Sequence, residues 1–204
     1  AHIVHPMSTV GEHMGVVFER TRDRIYIVDT EGKAYIDLTA GLMCCNLGHQ
    51  QKEIQDAIVE AIRRTDYTTC YYGFGNTDVI KCAQLLAEIT PGDLNHFHFV
   101  TGGSEVSDTA TKIARLYWHY KGKGTKQKIV SLYNSYHGLA GISTYLTRML
   151  QGAPQRGFGM EPGGYLRIPS YYCYRCLFGA SYPNCDMLCA RYLKSVIEGE
   201  GPDS

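Results

Sequence analysis

The sequence lacks a long apolar run. Nowhere do about 20 apolar residues follow one another, the length a membrane-spanning helix needs, and no basic segment leads into an apolar stretch at the N-terminus, as in a signal peptide. Charge of one sign is also missing, because 20 Lys and Arg balance 20 Asp and Glu. These absences argue against nucleic acid and membranes as partners. They predict a cytoplasmic protein that binds a small molecule or a second copy of itself.

The cysteines allow two interpretations. With 204 residues, 44% of them hydrophobic, the chain is long enough for one sizeable core or one core plus part of another, so we expect its eight cysteines to be reduced thiols. One cluster nevertheless has the spacing of a structural zinc site: Cys173, Cys176, Cys185 and Cys189. The residues between the two pairs suggest a packed loop with free thiols, and this interpretation, without a metal, is favoured.

An anion site is predicted where an apolar, aromatic run at residues 97–100 breaks at Gly102, Gly103 and Ser104 and opens into a helical pattern. Glycines let the backbone approach a phosphate, Ser104 can cap the helix, and first-turn amides favour negative charge. A tight turn that only caps the next helix would use the same residues. Because the spacing matches neither common nucleotide fingerprint, a nucleotide is not the first expectation.

The periodicity of apolar residues changes repeatedly along the first half of the chain. Strand-like runs at residues 24–29 and 33–38, joined by a turn at 30–32, indicate a small antiparallel hairpin. Apolar residues at helical spacing indicate helices over 51–64 and 77–88.

The second half alternates between strand and helix patterns. A strand at 97–100, a helix over 104–120 and a strand at 128–133 predict an α/β fold with a mostly parallel sheet, whose ligands bind at the carboxyl ends of the strands. Tyr136 and His137 follow the second strand, so both could converge with the predicted anion site on one ligand. A core aromatic and a structural imidazole are the alternatives for this pair.

Several segments follow one another in the order seen in a single family: Ala40-Gly41-Leu42, Asn46-Leu47-Gly48-His49, Leu86-Ala87-Glu88 with Pro91, Gly103-Ser104-Glu105 with Asp108-Thr109, and Tyr136-His137-Gly138. In this order they resemble the N-terminal portion of class III pyridoxal-phosphate-dependent aminotransferases. The likeness is greatest to the ω-amino acid or amine:pyruvate branch, on residues 103–109, Tyr117-Trp118 and His5-Pro6-Met7. It covers nearly the whole chain.

The resemblance implies a fold type I transferase, with a mostly parallel sheet flanked by helices and a small N-terminal antiparallel β element. Residues 1–65 would form the N-terminal part of a small domain and its linking helix. Residues 66–204 would form the first, incomplete part of the large domain that binds pyridoxal 5′-phosphate. Only the N-terminal half of such an enzyme is then present, and a homodimer with a shared active site is expected.

For the cofactor, the resemblance implies that Gly103 and Ser104, with Gly102 before them, bind the phosphate. Tyr136 would stack on the pyridine ring, and His137 would lie close to it. Gly102 stands where the family usually has Ser or Ala, a small change that should leave the phosphate site intact.

For the substrate, the resemblance places Leu42 and Met43 among the pocket residues. Met43 stands where the branch often has Trp, so the resemblance leaves the size of the pocket and the substrate preference open. Tyr71 and Tyr72 would reach toward the active site of the neighbouring subunit, although an aromatic loop packed on its own core is the alternative.

Transamination needs a lysine that holds the cofactor as a Schiff base and an acid on the pyridinium nitrogen. In the family both lie in a region that would follow Ser204, and no lysine of this chain stands in a matching motif. The resemblance therefore implies a longer native protein, and these 204 residues alone are expected not to turn over.

The reaction expected of the longer protein moves an amino group from an ω-amino acid or primary amine to a keto acid such as pyruvate. The donor stays open among β-alanine, taurine, γ-aminobutyrate, a diamine and an aryl-alkyl amine. A non-catalytic aminotransferase-like scaffold and a zinc-stapled binding module are the alternative functions.

Overall fold

A computed structural model of the protein describes residues 15–148 and 163–204. The chain forms two compact units, residues 1–97 and residues 98–204. His5-Pro6-Met7, the first of the family-like segments, lies outside the described residues. The division after residue 65 that the resemblance implies remains a prediction.

Three antiparallel strands form the sheet of the first unit. In sheet order they are β1 (Phe18–Arg22), β2 (Tyr26–Asp29) and β3 (Ala34–Ile36). Asp29 closes the turn between β2 and β3, because its Oδ1 accepts hydrogen bonds from the amides of Glu31 at 3.0 Å and Lys33 at 2.9 Å. The predicted hairpin is confirmed, and β1 adds a strand that the sequence pattern did not indicate.

A left-handed turn, α1, follows the sheet at Ala40–Met43. Its residues have positive φ angles of 49°, 58°, 60° and 66° in chain order, a conformation that costs a non-glycine residue roughly 1–2 kcal/mol. Two hydrogen bonds of helical type close the turn, from Met43 N to Thr39 O at 2.8 Å and from Cys44 N to Ala40 O at 2.9 Å. The sequence pattern did not predict this turn.

Two longer helices complete the first unit, α2 at Lys52–Arg64 and α3 at Thr77–Ile89. Both helices predicted from the apolar spacing are confirmed. The start of α3 is fixed by Asn76, whose Oδ1 accepts hydrogen bonds from Asp78 N at 2.9 Å and Val79 N at 3.4 Å. Such a side-chain cap satisfies amides that have no partner within the helix.

The second unit alternates helices and strands. Its elements are α4 (Gly103–Tyr120), β4 (Ile129–Leu132), α5 (Ser143–Leu146), β5 (Tyr165–Ile168) and α6 (Leu188–Glu200), with a 3-10 turn at Cys173–Arg175. β4 and β5 pair in parallel, with Ile129 opposite Tyr165 and Leu132 opposite Ile168. The predicted α/β character is confirmed, as are the helix expected over 104–120 and the strand expected at 128–133.

The strand predicted at residues 97–100 is wrong. These residues form no helix or strand, and among the described residues none of them joins a β-ladder. An apolar, aromatic run favours burial, but a strand also needs a hydrogen-bonded neighbour, which the run itself does not specify.

Few hydrophobic side chains are buried within either unit. Among the described residues, the buried hydrophobic ones are Val28 in the first unit and Leu146 and Ile168 in the second. The apolar stripe of α2 is open by contrast, with Ile58 53% and Ile62 58% exposed. Within residues 15–148 and 163–204, no helix combines the length and the apolar character that crossing a bilayer requires.

Candidate functional site

The candidate site is built on the start of α4. Gly102 is the N-cap, and the first hydrogen bond of the helix runs from Val106 N to Gly102 O at 3.1 Å. The amides of Gly103, Ser104 and Glu105 therefore precede the hydrogen-bonded ladder, where the helix dipole favours a negative ligand. The expectation that Ser104 caps this helix is wrong, because Ser104 lies inside its first turn.

Ser104 instead ties a second segment to the helix. Its Oγ accepts a hydrogen bond from Leu139 N at 3.3 Å. A hydroxyl can donate while it accepts, so the Ser104 proton remains able to bind an anion. Gly138 lies against this serine, since a Cβ at Gly138 would be 2.9 Å from Ser104 Cα, closer than real Cβ contacts come.

Two further hydroxyls hold the backbone of the second segment. Ser107 Oγ donates to His137 O at 2.8 Å. Thr147, whose side chain is fully buried, accepts from His137 N at 2.8 Å and donates to Gly138 O at 2.7 Å. The structure thus brings Ser104 and Ser107 of α4 together with residues 137–139. The sequence suggested that these two segments meet, although residues 97–100 do not form the strand on which that expectation depended.

Asp108 supports the chain that follows this segment. Its Oδ1 accepts from Ser143 N at 2.7 Å and its Oδ2 from Ile142 N at 3.3 Å. These bonds satisfy amides at the start of the short helix α5, which no side chain of its own caps. One turn of α4 therefore positions both the 136–139 segment and α5.

Glu105 organises the residues that precede α4. Its Oε2 accepts from Thr101 Oγ1 at 2.6 Å and from Thr101 N at 2.9 Å. These bonds, chiefly the one from the Thr101 hydroxyl, hold the pKa of the Glu105 carboxyl below its ordinary value of 4.5. A charged Glu105 thereby fixes the direction in which the backbone enters the helix.

The two predicted ring-contacting residues are accessible. Tyr136 is 59% exposed, and His137 is exposed as well. Within its own unit Tyr136 is therefore not a core aromatic, the alternative that the sequence left open. The hydroxyls of Ser107 and Thr147 fix the backbone at His137, the neighbour of Tyr136.

The glycines at the start of α4 leave room for a ligand. A Cβ placed on Gly102 or Gly103 would meet no atom within 4 Å. Open space, first-turn amides and the Ser104 hydroxyl together suit a phosphate group, whose oxygens accept such hydrogen bonds.

The four predicted substrate residues lie in the first unit and are exposed there. Leu42 and Met43 are each 74% exposed on the left-handed turn α1. Tyr71 and Tyr72 are 74% and 97% exposed, with ring centroids 6.2 Å apart. Their part in a substrate pocket remains a prediction.

The four cysteines of the zinc alternative are Cys173, Cys176, Cys185 and Cys189, none of which forms a disulfide. Throughout the part of the chain that the structure describes, no three His, Cys, Asp or Glu side chains gather as a metal site would require. The geometry therefore gives the zinc alternative no support.

Sequence reasoning missed several residues that hold the candidate site. Ser107 and Asp108 follow Gly103 by about one helical turn, a spacing that could have placed them on the same side of the helix. Thr147 has no comparable signal, because its role depends on a contact made 10 residues away in sequence.

Comparison with known proteins gives a consistent result. Residues 7–198 match the family described as aminotransferase class-III. The omega-amino acid–pyruvate aminotransferase of Pseudomonas putida is 34% identical over 151 residues, which are 72% of this chain and 33% of that protein. The chain thus spans well under half the length of the curated relatives it matches.

Solved structures show the same likeness. An (S)-enantioselective omega-transaminase from Thermomicrobium roseum superposes with a TM-score of 0.91 at 33% identity, covering 99% of this chain and 45% of that one. The omega transaminase of Pseudomonas jessenii in complex with PMP gives a TM-score of 0.91 at 29% identity, with the same coverage.

Proposed function

The chain belongs to the class III aminotransferase family, and on this premise we propose that the protein is a pyridoxal-phosphate-dependent transaminase. Class III aminotransferases depend on pyridoxal phosphate. The reaction proposed is the transfer of an amino group from an ω-amino acid or another primary amine to a keto acid such as pyruvate. The likeness to the P. putida enzyme supports this choice of substrates.

The observation that carries the proposal is the joining of two segments at the start of α4. Ser104 accepts from Leu139 N, and Ser107 donates to His137 O. An anion-binding helix terminus is thereby set beside an exposed tyrosine and histidine. A phosphate attached to a flat aromatic ring is the kind of ligand that such a pair of features suits.

Each residue of this site has a proposed task. The amides after Gly102, at Gly103 and Ser104, together with the Ser104 hydroxyl, bind the phosphate and so fix one end of the cofactor. Tyr136 stacks on the ring, and His137 lies at its edge. When bound, the cofactor supplies an electron sink for the substrate carbon that exchanges its amino group.

Other parts of the active site extend the proposal. Leu42 and Met43 contact the amino donor, and Tyr71 and Tyr72 reach the active site of a second copy in a homodimer. The lysine that holds the cofactor is proposed to lie outside these 204 residues, because none of their lysines matches the family motif. A cytoplasmic location belongs to the same proposal.

The proposal is tested by the intact mass of the native protein, measured after incubation with pyridoxal phosphate and reduction with borohydride. We expect the mass to rise by one reduced phosphopyridoxyl group per chain. In a parallel assay, transfer of an amino group from β-alanine or another amine to pyruvate is followed as alanine. A protein with neither adduct nor alanine formation would contradict the proposal, while an adduct without transfer would favour the non-catalytic scaffold.

A pair of matched variants locates the phosphate. Ser104→Asp puts a negative charge at the first turn of α4, so it should repel the phosphate and abolish the adduct at low cofactor concentration. Ser195→Asp makes the same change at an exposed position of α6 and should leave the adduct intact. Equal adduct formation in both variants would contradict the assignment of the phosphate site.

A further inference from the structure

The left-handed turn α1 is the longest run of positive φ angles among the described residues. Ala40, Gly41, Leu42 and Met43 have positive φ in succession, and three of them carry side chains that disfavour this region. A backbone in this conformation persists only where contacts with the surrounding structure fix its dihedral angles. The contacts that stabilise this turn therefore indicate its role.

The carboxylate of Asp37 stabilises the turn by accepting hydrogen bonds from Thr39 and Gly41. Asp37 Oδ1 accepts from Thr39 Oγ1 at 3.0 Å and from Thr39 N at 3.2 Å. Asp37 Oδ2 accepts from Gly41 N at 2.8 Å, a bond that reaches directly into the turn. The side chain of Asp37 is only 4% exposed, so these donors replace water almost completely.

His49 fixes the position of the Asp37 carboxylate through a further hydrogen bond. Its Nε2 lies 2.8 Å from Asp37 Oδ2, and its side chain is 11% exposed. A carboxylate can only accept, so Nε2 carries the proton of this bond whatever the charge of the ring. The pair is a charge-assisted hydrogen bond largely shielded from solvent, the type that fixes geometry best.

The pair is anchored to the hairpin of the first unit through the backbone. His49 N donates to Arg24 O at 2.7 Å, and Asp37 N donates to Ile25 O at 2.8 Å. At Gly48, whose φ is 89°, a Cβ would lie 2.9 Å from Arg24 O. Both ends of the 37–49 segment are therefore fixed to the same turn between β1 and β2.

The side chains on this rigid turn do not pack inside their own unit. Leu42 and Met43 are each 74% exposed, although both are apolar. Their contact with the amino donor is part of the proposed function, and a backbone held in a sparsely populated conformation is typical of residues that contact a ligand.

We infer that Asp37 and His49 are positioning residues, which fix Leu42 and Met43 through the left-handed turn and thereby set which amine donors the protein accepts. This inference rests on the proposed function, since it names residues that act on the selectivity of that same reaction. Neither residue touches the donor; each acts through the backbone of the turn.

The test compares two changes at one position in the native protein loaded with pyridoxal phosphate. His49→Phe keeps a ring of similar shape but removes the donor to Asp37. His49→Gln keeps an N–H that can reach the carboxylate. For each variant, kcat/KM is measured with a small donor, β-alanine, and a bulky one, 1-phenylethylamine, with pyruvate as the acceptor.

We expect His49→Phe to change the ratio of the two kcat/KM values by about tenfold or more, the scale on which pocket fit discriminates. His49→Gln should restore the ratio to within about twofold of the wild type. His119→Phe, an exposed position on α4, is the control and should leave the ratio unchanged. A uniform fall with both donors, at constant ratio, would overturn the inference, because it would show only a structural role.

A second readout does not depend on activity. Amide hydrogen exchange at Gly41, Met43 and Cys44 should quicken in His49→Phe and remain slow in His49→Gln. Should His49→Phe not fold, Thr39→Ala removes only one donor to Asp37 and should shift the donor ratio in the same direction by less. Unchanged exchange and an unchanged ratio in Thr39→Ala would then overturn the inference.

The wild-type protein separates this test from the proposed function. If it forms no cofactor adduct and transfers no amino group, the proposed function itself fails, and the selectivity inference fails with it. If it transfers amino groups but the donor ratio is insensitive to His49, the function stands and the positioning role does not.

Discussion

Gly138 decides how closely the 136–139 segment approaches α4. Its φ of 113° lies outside the range that side chains readily adopt, and a Cβ would come within 2.9 Å of Ser104 Cα. The obstacle is backbone, which cannot move aside as the end of a flexible side chain could. A single hydrogen atom in place of a methyl group therefore allows the two halves of the candidate site to meet.

The first prediction follows for Gly138→Ala. Overpacking should destabilise the protein by about 1–3 kcal/mol, and the displaced Ser104 should bind pyridoxal phosphate more weakly. Urea unfolding and a cofactor titration measure the two effects. Gly199→Ala, on α6 where a Cβ meets no atom within 4 Å, is the matched control and should be neutral or stabilise by up to about 1 kcal/mol. Equal behaviour of the two variants would contradict the close approach.

The second prediction concerns the charge of Glu105. Hydrogen bonds from Thr101 lower the pKa of its carboxyl in the folded protein, so folding favours the ionised form. That contribution to stability is present in full above the unfolded pKa, near 4.5, and is lost as the pH falls through the lower folded value. Glu105→Gln should therefore be less stable than the wild type at pH 6–7, and the difference should shrink below about pH 4.5.

Urea unfolding at a series of pH values checks this expectation. Glu60→Gln, at an exposed position on α2, is the control for the loss of one negative charge. If the free energy of unfolding of Glu105→Gln stays below that of the wild type by the same amount from pH 7 to pH 3, the charge of Glu105 does not contribute to stability.

At the scale of elements, α4 and the start of α5 act together. Thr147 follows α5 and bonds to both His137 and Gly138, while Asp108 of α4 bonds to the amides of Ile142 and Ser143. The 136–139 segment is therefore held between two helices, although it contains no regular structure itself. This explains how a short loop can keep Tyr136 and His137 in a defined place.

The third prediction tests this support through Thr147→Val. The shape of the side chain is retained, but the amide of His137 and the carbonyl of Gly138 lose their partner, at about 1–3 kcal/mol for each group left unsatisfied. Unfolding in urea should show the loss, and cofactor affinity should fall because the loop is no longer fixed. Thr144→Val, at a half-buried position within α5, is the control. A Thr147→Val protein as stable as this control would contradict the role assigned to the hydroxyl.

The elements also show what sequence patterns can and cannot predict. α2, α3 and α4 were predictable because their apolar residues repeat at helical spacing, and β4 because it is short, apolar and bounded by polar residues. β1 was not, since Phe18–Arg22 alternates poorly and carries two arginines and a glutamate. Residues 97–100 have the composition of a strand but no ladder, because pairing is decided by neighbours distant in sequence.

The candidate site was predictable in part for the same reason. Gly102, Gly103 and Ser104 stand at a local boundary, so their sequence reveals a helix start. Only the capping role expected of Ser104 was wrong, because Gly102 is the N-cap, and the hydrogen bond from Leu139 was missed because Leu139 is 35 residues away. Contacts of that range are set by tertiary packing, which no local pattern encodes.

At the scale of the whole molecule, many large hydrophobic side chains of the described residues are exposed and few are buried. Large hydrophobic side chains such as Leu85, Ile89 and Leu116 are 63%, 79% and 51% exposed. Leu85 and Ile89 lie one turn apart on α3, and soluble proteins seldom leave large contiguous apolar faces open to water. The chain covers 45% of the omega-transaminase from T. roseum that it superposes on, and the remainder of such a protein would offer surfaces to cover these faces.

The fourth prediction concerns the 204-residue polypeptide expressed alone. We expect it to bind the dye ANS strongly and to self-associate, because large apolar side chains are exposed on its helices. Dye fluorescence and sedimentation velocity measure the two properties, with the longer protein proposed above as the reference. A monomer that binds no dye and unfolds in one cooperative step would contradict this expectation.

The left-handed turn α1 also limits how this protein can be engineered. Any library that randomises Leu42 and Met43 meets a backbone with φ of 60° and 66°, where valine, isoleucine and threonine are poorly tolerated. The residues best tolerated at these two sites are therefore glycine, asparagine, aspartate and side chains that are not branched at Cβ. If the protein is the transaminase proposed above, we expect directed evolution toward larger or smaller amines to gain more from neighbouring positions than from exhaustive search at these two.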